Sequence, residues 1–119
     1  MKTIQVTFRD VPSSEALVEY IRKRASKLET IFDRMIRCHV LVESPHRHHL
    51  HGRPYHVGVR IGVPGREIVA GHAPDNDARY TDLYAAIDCA FDDAGRRLYD
   101  YSERLKGRRS STVELRNAE

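Results

Sequence analysis

The segment from Tyr80 to Lys106 constrains the fold of this chain more than any other. Its apolar residues recur at alternating steps of three and four, at Leu83, Ile87, Phe91, Ala94, Leu98, Tyr101 and Leu105. That spacing is the period of one face of an α-helix, here maintained for about six turns. Thr81 or Asp82 can cap its first turn, and Gly107 predicts its end. The rest of the chain must therefore supply a surface on which this apolar face packs.

Three other segments alternate apolar and polar residues, which is the pattern of half-buried β-strands. Their apolar positions are Ile4, Val6 and Phe8, then Ile36, Cys38, Val40 and Val42, then Val57, Val59, Ile61 and Val63. The run Val63-Pro64-Gly65-Arg66 is a tight-turn signal, so a fourth strand near Glu67 to Ala73 should complete a hairpin.

A shorter helix is predicted between the first two strands. Ser13 or Ser14 is a natural N-cap, and the helix should reach about Phe32. Its core-facing residues would be Leu17, Ile21, Ala25, Leu28 and Phe32. Beside them lies a second strip, formed by Tyr20, Lys23, Arg24, Lys27 and Ile31. This strip suits contact with RNA phosphates and bases, but its long side chains could equally lie along the apolar seam with their charges in water.

The predicted order of elements is β-α-β-β-β-α. A helical crossover favours a parallel pairing of the first two strands, whereas the remaining pairings should be antiparallel. Each strand has one apolar side, so both helices should cover one face of the sheet and leave the other in water. The sequence thus predicts an α+β two-layer sandwich with a four-stranded mixed sheet. One domain is expected over 1–107, followed by a polar, disordered tail over 108–119.

Composition limits the possible partners only mildly. The chain has 119 residues, 40% of them hydrophobic, and a formal net charge of +3. A weak positive charge favours anionic partners without requiring one. No apolar run approaches the roughly 20 residues that a membrane span needs, and the start of the chain does not resemble a signal peptide. A cytoplasmic protein without a membrane partner is therefore expected.

The segment from His46 to His56 is rich in histidine, and imidazoles bind several transition metals. It contains no Cys, Asp or Glu, and its spacing matches no defined metal motif. A solvated loop that binds metal adventitiously, a loop that contacts RNA and a dedicated metal site all stay open. The favoured interpretation is the first, so no metal or cofactor is predicted.

Carboxylates on the long helix could suggest acid–base chemistry, but their spacing indicates ion pairs. Each of three aspartates precedes an arginine by four residues, as Asp92 and Arg96, Asp93 and Arg97, and Asp100 and Arg104. This is the favourable orientation for helical pairs. Phosphate-binding glycine loops and known nucleophile motifs are missing from the sequence. Neither an enzyme nor a small-molecule substrate is expected.

Arg97, Arg104 and Arg108 share one flank of the long helix beside its apolar seam. If this flank adjoins the strip from Tyr20 to Lys27, the helical layer would present one continuous basic surface. Such a surface would bind the phosphates of RNA.

Two motifs resemble those of a known family. The segments Lys27-Leu28-Glu29-Thr30-Ile31-Phe32-Asp33-Arg34 and Asp82-Leu83-Tyr84-Ala85-Ala86-Ile87-Asp88 are similar to segments of the ribosome hibernation promoting factors. These are short ribosome-associated inhibitors, also described as sigma-factor modulation proteins. The resemblance implies the fold given above. It also implies binding to ribosomal RNA in the decoding channel of the small ribosomal subunit, which blocks tRNA and mRNA and stores inactive ribosomes.

The resemblance carries the family's basic positions over to Arg24, Lys27, Arg96, Arg104 and Lys106. Together with the residues singled out by helical spacing, the predicted RNA-binding set is Tyr20, Lys23, Arg24, Lys27, Arg96, Arg97, Arg104 and Lys106. Asp93 and Asp100 stand where family members commonly have lysines, so this helix should be less basic than usual. The long members' C-terminal dimerisation domain is not expected here, and ribosome pairing would then need a separate factor.

Two other functions stay open at this level. A protein-interaction module that regulates a transcription (sigma) factor would not bind ribosomes. A metal-dependent binding protein built on His46 to His56 would retain stoichiometric metal after dialysis.

Overall fold

In the computed structural model the described residues are 3–44, 55–71 and 82–118, with side chains described as far as 107. The elements follow the predicted order, with strands β1 (Thr3–Arg9), β2 (Arg37–Glu43), β3 (His56–Val63) and β4 (Arg66–Ala70), and helices α1 (Glu15–Leu28) and α2 (Leu83–Ala118). The predicted β-α-β-β-β-α arrangement is therefore confirmed.

The four strands form one mixed sheet in the order β1-β2-β3-β4. β1 pairs with β2 in parallel, as the helical crossover between them requires. The other two pairings are antiparallel. One row across the sheet joins Val6, Val40, Val59 and Ala70, and the last three of these are fully buried or nearly so. The row marks the sheet face on which the helices pack.

Both helices cover that face. α1 packs against β1 and α2, whereas α2 packs against β3 and β4. All five core positions predicted for α1 are buried, and Ile87, Phe91, Ala94 and Leu98 form the buried centre of the α2 seam. Cys38 lies in the same core, and burial raises the pKa of its thiol to about 12, as expected for a structural residue.

Capping fixes where each helix begins. The Ser14 hydroxyl accepts a hydrogen bond from the Leu17 N–H at 3.4 Å, and an Asp82 carboxylate oxygen accepts one from the Tyr84 N–H at 3.0 Å. α1 ends at Leu28, four residues earlier than predicted. There the Thr30 hydroxyl donates to the Lys27 carbonyl at 2.7 Å, which satisfies one of the acceptors that a helix end leaves unpaired.

The prediction that the long helix ends at Gly107 is wrong, because α2 continues to Ala118. Glycine in a helix costs only about 1 kcal/mol, and the residues from Arg108 onwards include no proline that would stop it. The division into a domain over 1–107 and a tail over 108–119 stays a prediction.

Two strand predictions also need correction. Ile36 was expected to point inward, but it precedes β2 and is 49% exposed. Its backbone still bridges the end of the sheet, donating to the Gly62 carbonyl at 2.7 Å and accepting from the Thr3 N–H at 3.4 Å. β4 ends at Ala70 rather than near Ala73, since Gly71 adopts a φ of 76° that an extended strand does not allow.

Candidate nucleic-acid interface

The two helices lie side by side and run in the same direction. Near their N-terminal ends the rings of Tyr20 and Tyr84 meet edge to face at 5.0 Å. Further along, Phe32 meets Tyr101 in the same way at 5.3 Å. The C-terminal halves of both helices therefore lie at one end of the layer, and their N-terminal halves lie at the other.

An inter-helix polar cluster of Tyr20, Arg24, Asp88 and Asp92 joins α1 to the N-terminal half of α2. The Tyr20 hydroxyl donates to Asp88 at 2.5 Å, and this hydrogen bond is the main reason why the pKa of Tyr20 is raised. Arg24 donates to Asp92 at 2.8 Å and lies 3.8 Å from the Asp88 carboxylate. The Arg24 guanidinium also lies 5.7 Å from the centre of the Phe91 ring. Two predicted RNA-binding residues are thus engaged between the helices.

The cluster changes the ion pairs that the spacing on α2 had predicted. Asp92 binds Arg24 of the other helix, so the predicted pair with Arg96 is wrong. Arg96 binds Asp93 instead. Asp93 also accepts from Arg97 at 3.0 Å, which confirms the second predicted pair.

The third predicted pair is wrong as well, since no ion pair joins Asp100 to Arg104 in the described part of the chain. Arg104 carries an exposed side chain that reaches the cleft between α2 and β4. Its charge is consequently available to a partner.

Asp93 anchors α2 to the end of β4. Its side chain is only 19% exposed and accepts a hydrogen bond from the Gly71 N–H at 3.1 Å. Partial burial opposes ionisation, but Gly71, Arg97 and Arg96 outweigh it and hold the pKa of Asp93 below its ordinary value. A lysine at this position could not accept the Gly71 hydrogen bond. The aspartate therefore has a structural reason to stand where a basic residue was expected.

Among the predicted residues, Lys23, Lys27 and Arg104 are exposed and have no ion-pair partner within the described ranges. Lys106 is also well exposed, with Glu103 3.7 Å away. Arg96 and Arg97 expose 71% and 54% of their side chains although they bind Asp93. A guanidinium has five N–H donors, so each retains donors for another anion. On α2 the basic residues thus begin at Arg96, and the first thirteen residues of the helix contain none.

The predicted continuity between the two basic strips is wrong. Arg97 and Arg104 border β4, where they line a cleft of about 220 Å³. The strip on α1 meets the opposite side of α2, through Asp88 and Asp92. The flank with Arg97 and Arg104 and the strip on α1 therefore lie on opposite sides of α2.

Arg66 is a basic residue that the sequence did not single out. It lines the same cleft as Arg97 and Arg104, with its guanidinium 5.5 Å from the centre of the Tyr101 ring. The Tyr101 hydroxyl donates to the Pro64 carbonyl at 3.3 Å, which holds the ring beside the turn between β3 and β4. The sequence placed Arg66 at the end of the turn before the fourth strand, but only the packing of α2 brings it to the other arginines.

The histidine-rich segment lies outside the described residues except for Tyr55 and His56. His56 Nδ1 lies 3.6 Å from a carboxylate oxygen of Glu43. In the described ranges, three or more residues suited to hold a metal ion do not come together anywhere. None of the helices described here is both long enough and apolar enough to cross a membrane.

The fold defines the class of protein. The chain superimposes on the crystal structure of the Thermus thermophilus Protein Y N-terminal domain with a TM-score of 0.63 and 20% identity, over 85% of this chain and 99% of that one. It superimposes on a ribosomal subunit interface protein from Coxiella burnetii with a TM-score of 0.66, also at 20% identity, over 85% of this chain and 98% of the other. All three share one α+β sandwich.

Sequence comparison identifies the family. The pattern of the Sigma 54 modulation protein / S30EA ribosomal protein family matches residues 4–106, and the chain belongs to that family. It is 31% identical over 103 residues to the ribosome hibernation promoting factor of Escherichia coli strain K12, covering 87% of this chain and 96% of that protein. The factor of that name from Salmonella typhimurium is 30% identical over the same shares. These descriptions confirm the resemblance and name no reaction.

Proposed function

We propose that this protein binds the small ribosomal subunit against its ribosomal RNA, in the decoding channel, and silences translation by excluding tRNA and mRNA. The relatives named above as ribosome hibernation promoting factors match it over nearly their whole length. The structural observation that carries the proposal is the distribution of charge over the helical layer. Asp88, Asp92 and Asp93 of α2 are engaged in protein contacts. Lys23, Lys27 and Arg104, in contrast, are exposed and have no described ion-pair partner.

Two groups of residues would have different roles, one contacting RNA and the other holding the helices together. Lys23, Lys27 and Arg104 would contact RNA phosphates, together with the exposed guanidinium donors of Arg96 and Arg97 and the ammonium of Lys106. Tyr20 and Arg24 would act as positioning residues, because their polar groups hold α1 against α2. Arg66 would join the phosphate contacts at the cleft beside β4.

Occlusion of this kind needs no catalytic group and no cofactor. Phosphate contacts supply affinity without sequence readout, and the shape of folded RNA supplies the location. A ribosomal partner would place the protein's action in the cytoplasm. Any pairing of silenced ribosomes is assigned in this proposal to a separate factor.

Salt dependence tests the charged surface. Each phosphate contact that is lost should reduce the slope of log K against log salt concentration by about 0.7–0.9. The triple variant Lys23→Gln, Lys27→Gln, Arg104→Gln should therefore show a slope smaller by about 2–3 in binding to purified small subunits, measured by sedimentation. All three side chains are exposed, so the variant should fold normally.

A matched control removes the same charge elsewhere. Arg9 and Arg37 lie on the open side of the sheet, and Arg22 lies on α1 about 100° around the helix from Lys23. Replacing these three by Gln should leave the slope unchanged. Equal losses in both triple variants would mean that net charge, and not this surface, drives binding. Failure of the wild-type protein to bind subunits, with capture of a transcription factor instead, would favour the sigma-factor function.

A further inference from the structure

The sheet carries a groove on the face opposite the helices. Its cavity has a volume of about 660 Å³ and crosses the sheet from β1 to β4. Pockets for small molecules commonly enclose about 300–1,000 Å³. The groove lies on the other side of the sheet from α1 and α2, so it is separate from the surface proposed to contact ribosomal RNA.

The middle of the groove is lined by Leu41 and by Gly58, which has no side chain. Leu41 of β2 lies directly beside Gly58 of β3, and Thr7 of β1 lies beside Leu41. Among the described residues, a Cβ atom built on Gly58 would have only the Gly71 carbonyl oxygen within 4 Å, at 3.8 Å. Glycine weakens the interior of a strand and often marks a place where a ligand approaches the backbone closely. The position therefore leaves flat open space that a planar ring would fill.

One end of the groove is basic. Arg60 lies opposite His39 in the β2–β3 register and exposes 62% of its side chain. Its described acidic neighbour, Glu67, is 3.9 Å away and also pairs with Arg37 at 3.5 Å. His39 Nε2 lies 3.0 Å from the Thr7 hydroxyl. An anion at this end would meet the Arg60 guanidinium, whose one ion-pair partner among the described residues is the exposed Glu67.

The other end holds a carboxylate. Glu43 lies between its register neighbours Arg9 and His56, at 3.3 Å from Arg9 Nη1 and 3.6 Å from His56 Nδ1. A carboxylate accepts hydrogen bonds only, so it suits the N–H groups on the edge of a nucleobase. From His39 to Glu43 the strand rises about 13 Å, at about 3.3 Å per residue. That length accommodates a base, a ribose and a phosphate lying along β2.

We propose that this groove binds a single nucleotide. The base lies on Leu41 and the backbone at Gly58, its N–H edge donates to Glu43, and its phosphate is bound by Arg60 beside His39. Guanine presents two adjacent N–H donors to a carboxylate and uracil presents one, so guanosine monophosphate should bind more tightly than uridine monophosphate. The same chemistry is offered by a free nucleotide and by an unpaired nucleotide of an RNA strand.

The test measures binding of guanosine monophosphate, uridine monophosphate and a single-stranded RNA tetramer containing one guanine to the full chain by calorimetry. Gly58→Val places a β-branched side chain in the open space without requiring an unusual backbone conformation. It should weaken binding at least tenfold. Arg60→Gln removes the phosphate partner at an exposed site and should weaken binding about tenfold. Arg22→Gln on α1 is the control and should bind as the wild type does.

The outcomes distinguish a free nucleotide from an RNA strand as the ligand, and they can refute the proposed nucleotide site. Saturation by guanosine monophosphate alone would identify a free nucleotide, whereas binding of the tetramer only would identify an RNA strand. Failure of all three ligands to bind at millimolar concentration would refute the site. Unchanged binding by a folded Gly58→Val variant would also refute it. If that variant does not fold, unchanged binding by Arg60→Gln refutes it instead.

Discussion

Replacement of Arg24 by methionine distinguishes a positioning residue from a direct RNA contact. Methionine keeps most of the apolar stem beside Phe91 but removes the charge that lies between Asp88 and Asp92. The Asp92 side chain is 75% exposed, so water screens its pair with Arg24 and that pair should contribute only about 0.5 kcal/mol. The contacts with the Asp88 carboxylate and carbonyl oxygen should bring the total loss of unfolding free energy to about 1 kcal/mol.

For a domain of this length that loss lowers Tm by about 4 °C, since unfolding entropy is about 2.1 cal/mol/K per residue. Arg24→Glu would add a third carboxylate to the cluster and should cost roughly twice as much. Thermal and urea unfolding of both variants measure these losses. A double-mutant cycle with Asp92→Asn should return a coupling energy of about 0.5 kcal/mol.

Ribosome binding completes the test. At a temperature where it is fully folded, Arg24→Met should bind small subunits within about threefold of the wild type, because the residue is engaged by the protein itself. An unchanged Tm combined with a large loss of ribosome affinity would refute this role and restore Arg24 to the RNA contacts.

Three further predictions concern α2 and its neighbours. The pKa of Asp93 is lower in the folded protein than its ordinary value of 3.8. The ionised carboxylate therefore stabilises the fold fully above that pH, and this stabilisation is lost as the pH falls through the folded pKa. In the Asp93→Asn variant, the free energy of unfolding should accordingly depend less on pH in the acid range. Gly71→Ala should cost at least about 2 kcal/mol in urea unfolding, because φ is 76° and the new Cβ would lie 2.6 Å from the Val57 oxygen. Gly95→Ala should raise the free energy of unfolding by about 0.5–1 kcal/mol, and Tm with it, since its Cβ would lie 3.4 Å from the Ile31 side chain and 3.8 Å from that of Leu28. A stabilising Gly71→Ala or a destabilising Gly95→Ala substitution would contradict these contacts.

Periodicity predicted the fold well because it reports which side of each element is buried. The alternation around Val40 and Val59 and the helical spacing around Phe91 and Leu98 all placed residues correctly in the core. Ile36 was misassigned because alternation continues past the point where the strand reaches the edge of the core.

Charged contacts were harder to predict, because the spacing of charged residues along one helix indicates only ion pairs within that helix. Asp92 satisfied the i,i+4 rule with Arg96, yet it pairs with Arg24, which is 68 residues away. Asp93 likewise binds the backbone of Gly71, 22 residues earlier. Such partners become visible only when the helices are packed. The sequence alone therefore located the basic residues without showing which of them the protein already uses.

The sequence predicted that one face of the sheet is open to water. It did not predict the groove on that face, because the groove depends on how β2 and β3 are aligned. Leu41 and Gly58 become neighbours only through the antiparallel pairing of β2 and β3. The strand pattern treated Gly58 as one more outward position.

Mutual exclusion with tRNA and mRNA tests the central claim most directly. Labelled protein would be titrated onto isolated small ribosomal subunits, with and without mRNA and tRNA bound beforehand, and the bound fraction measured by sedimentation. The proposed occlusion of the decoding channel predicts salt-sensitive binding to empty subunits and strongly reduced binding to occupied ones. Equal binding to empty and occupied subunits, or no binding to either at low salt, would contradict it.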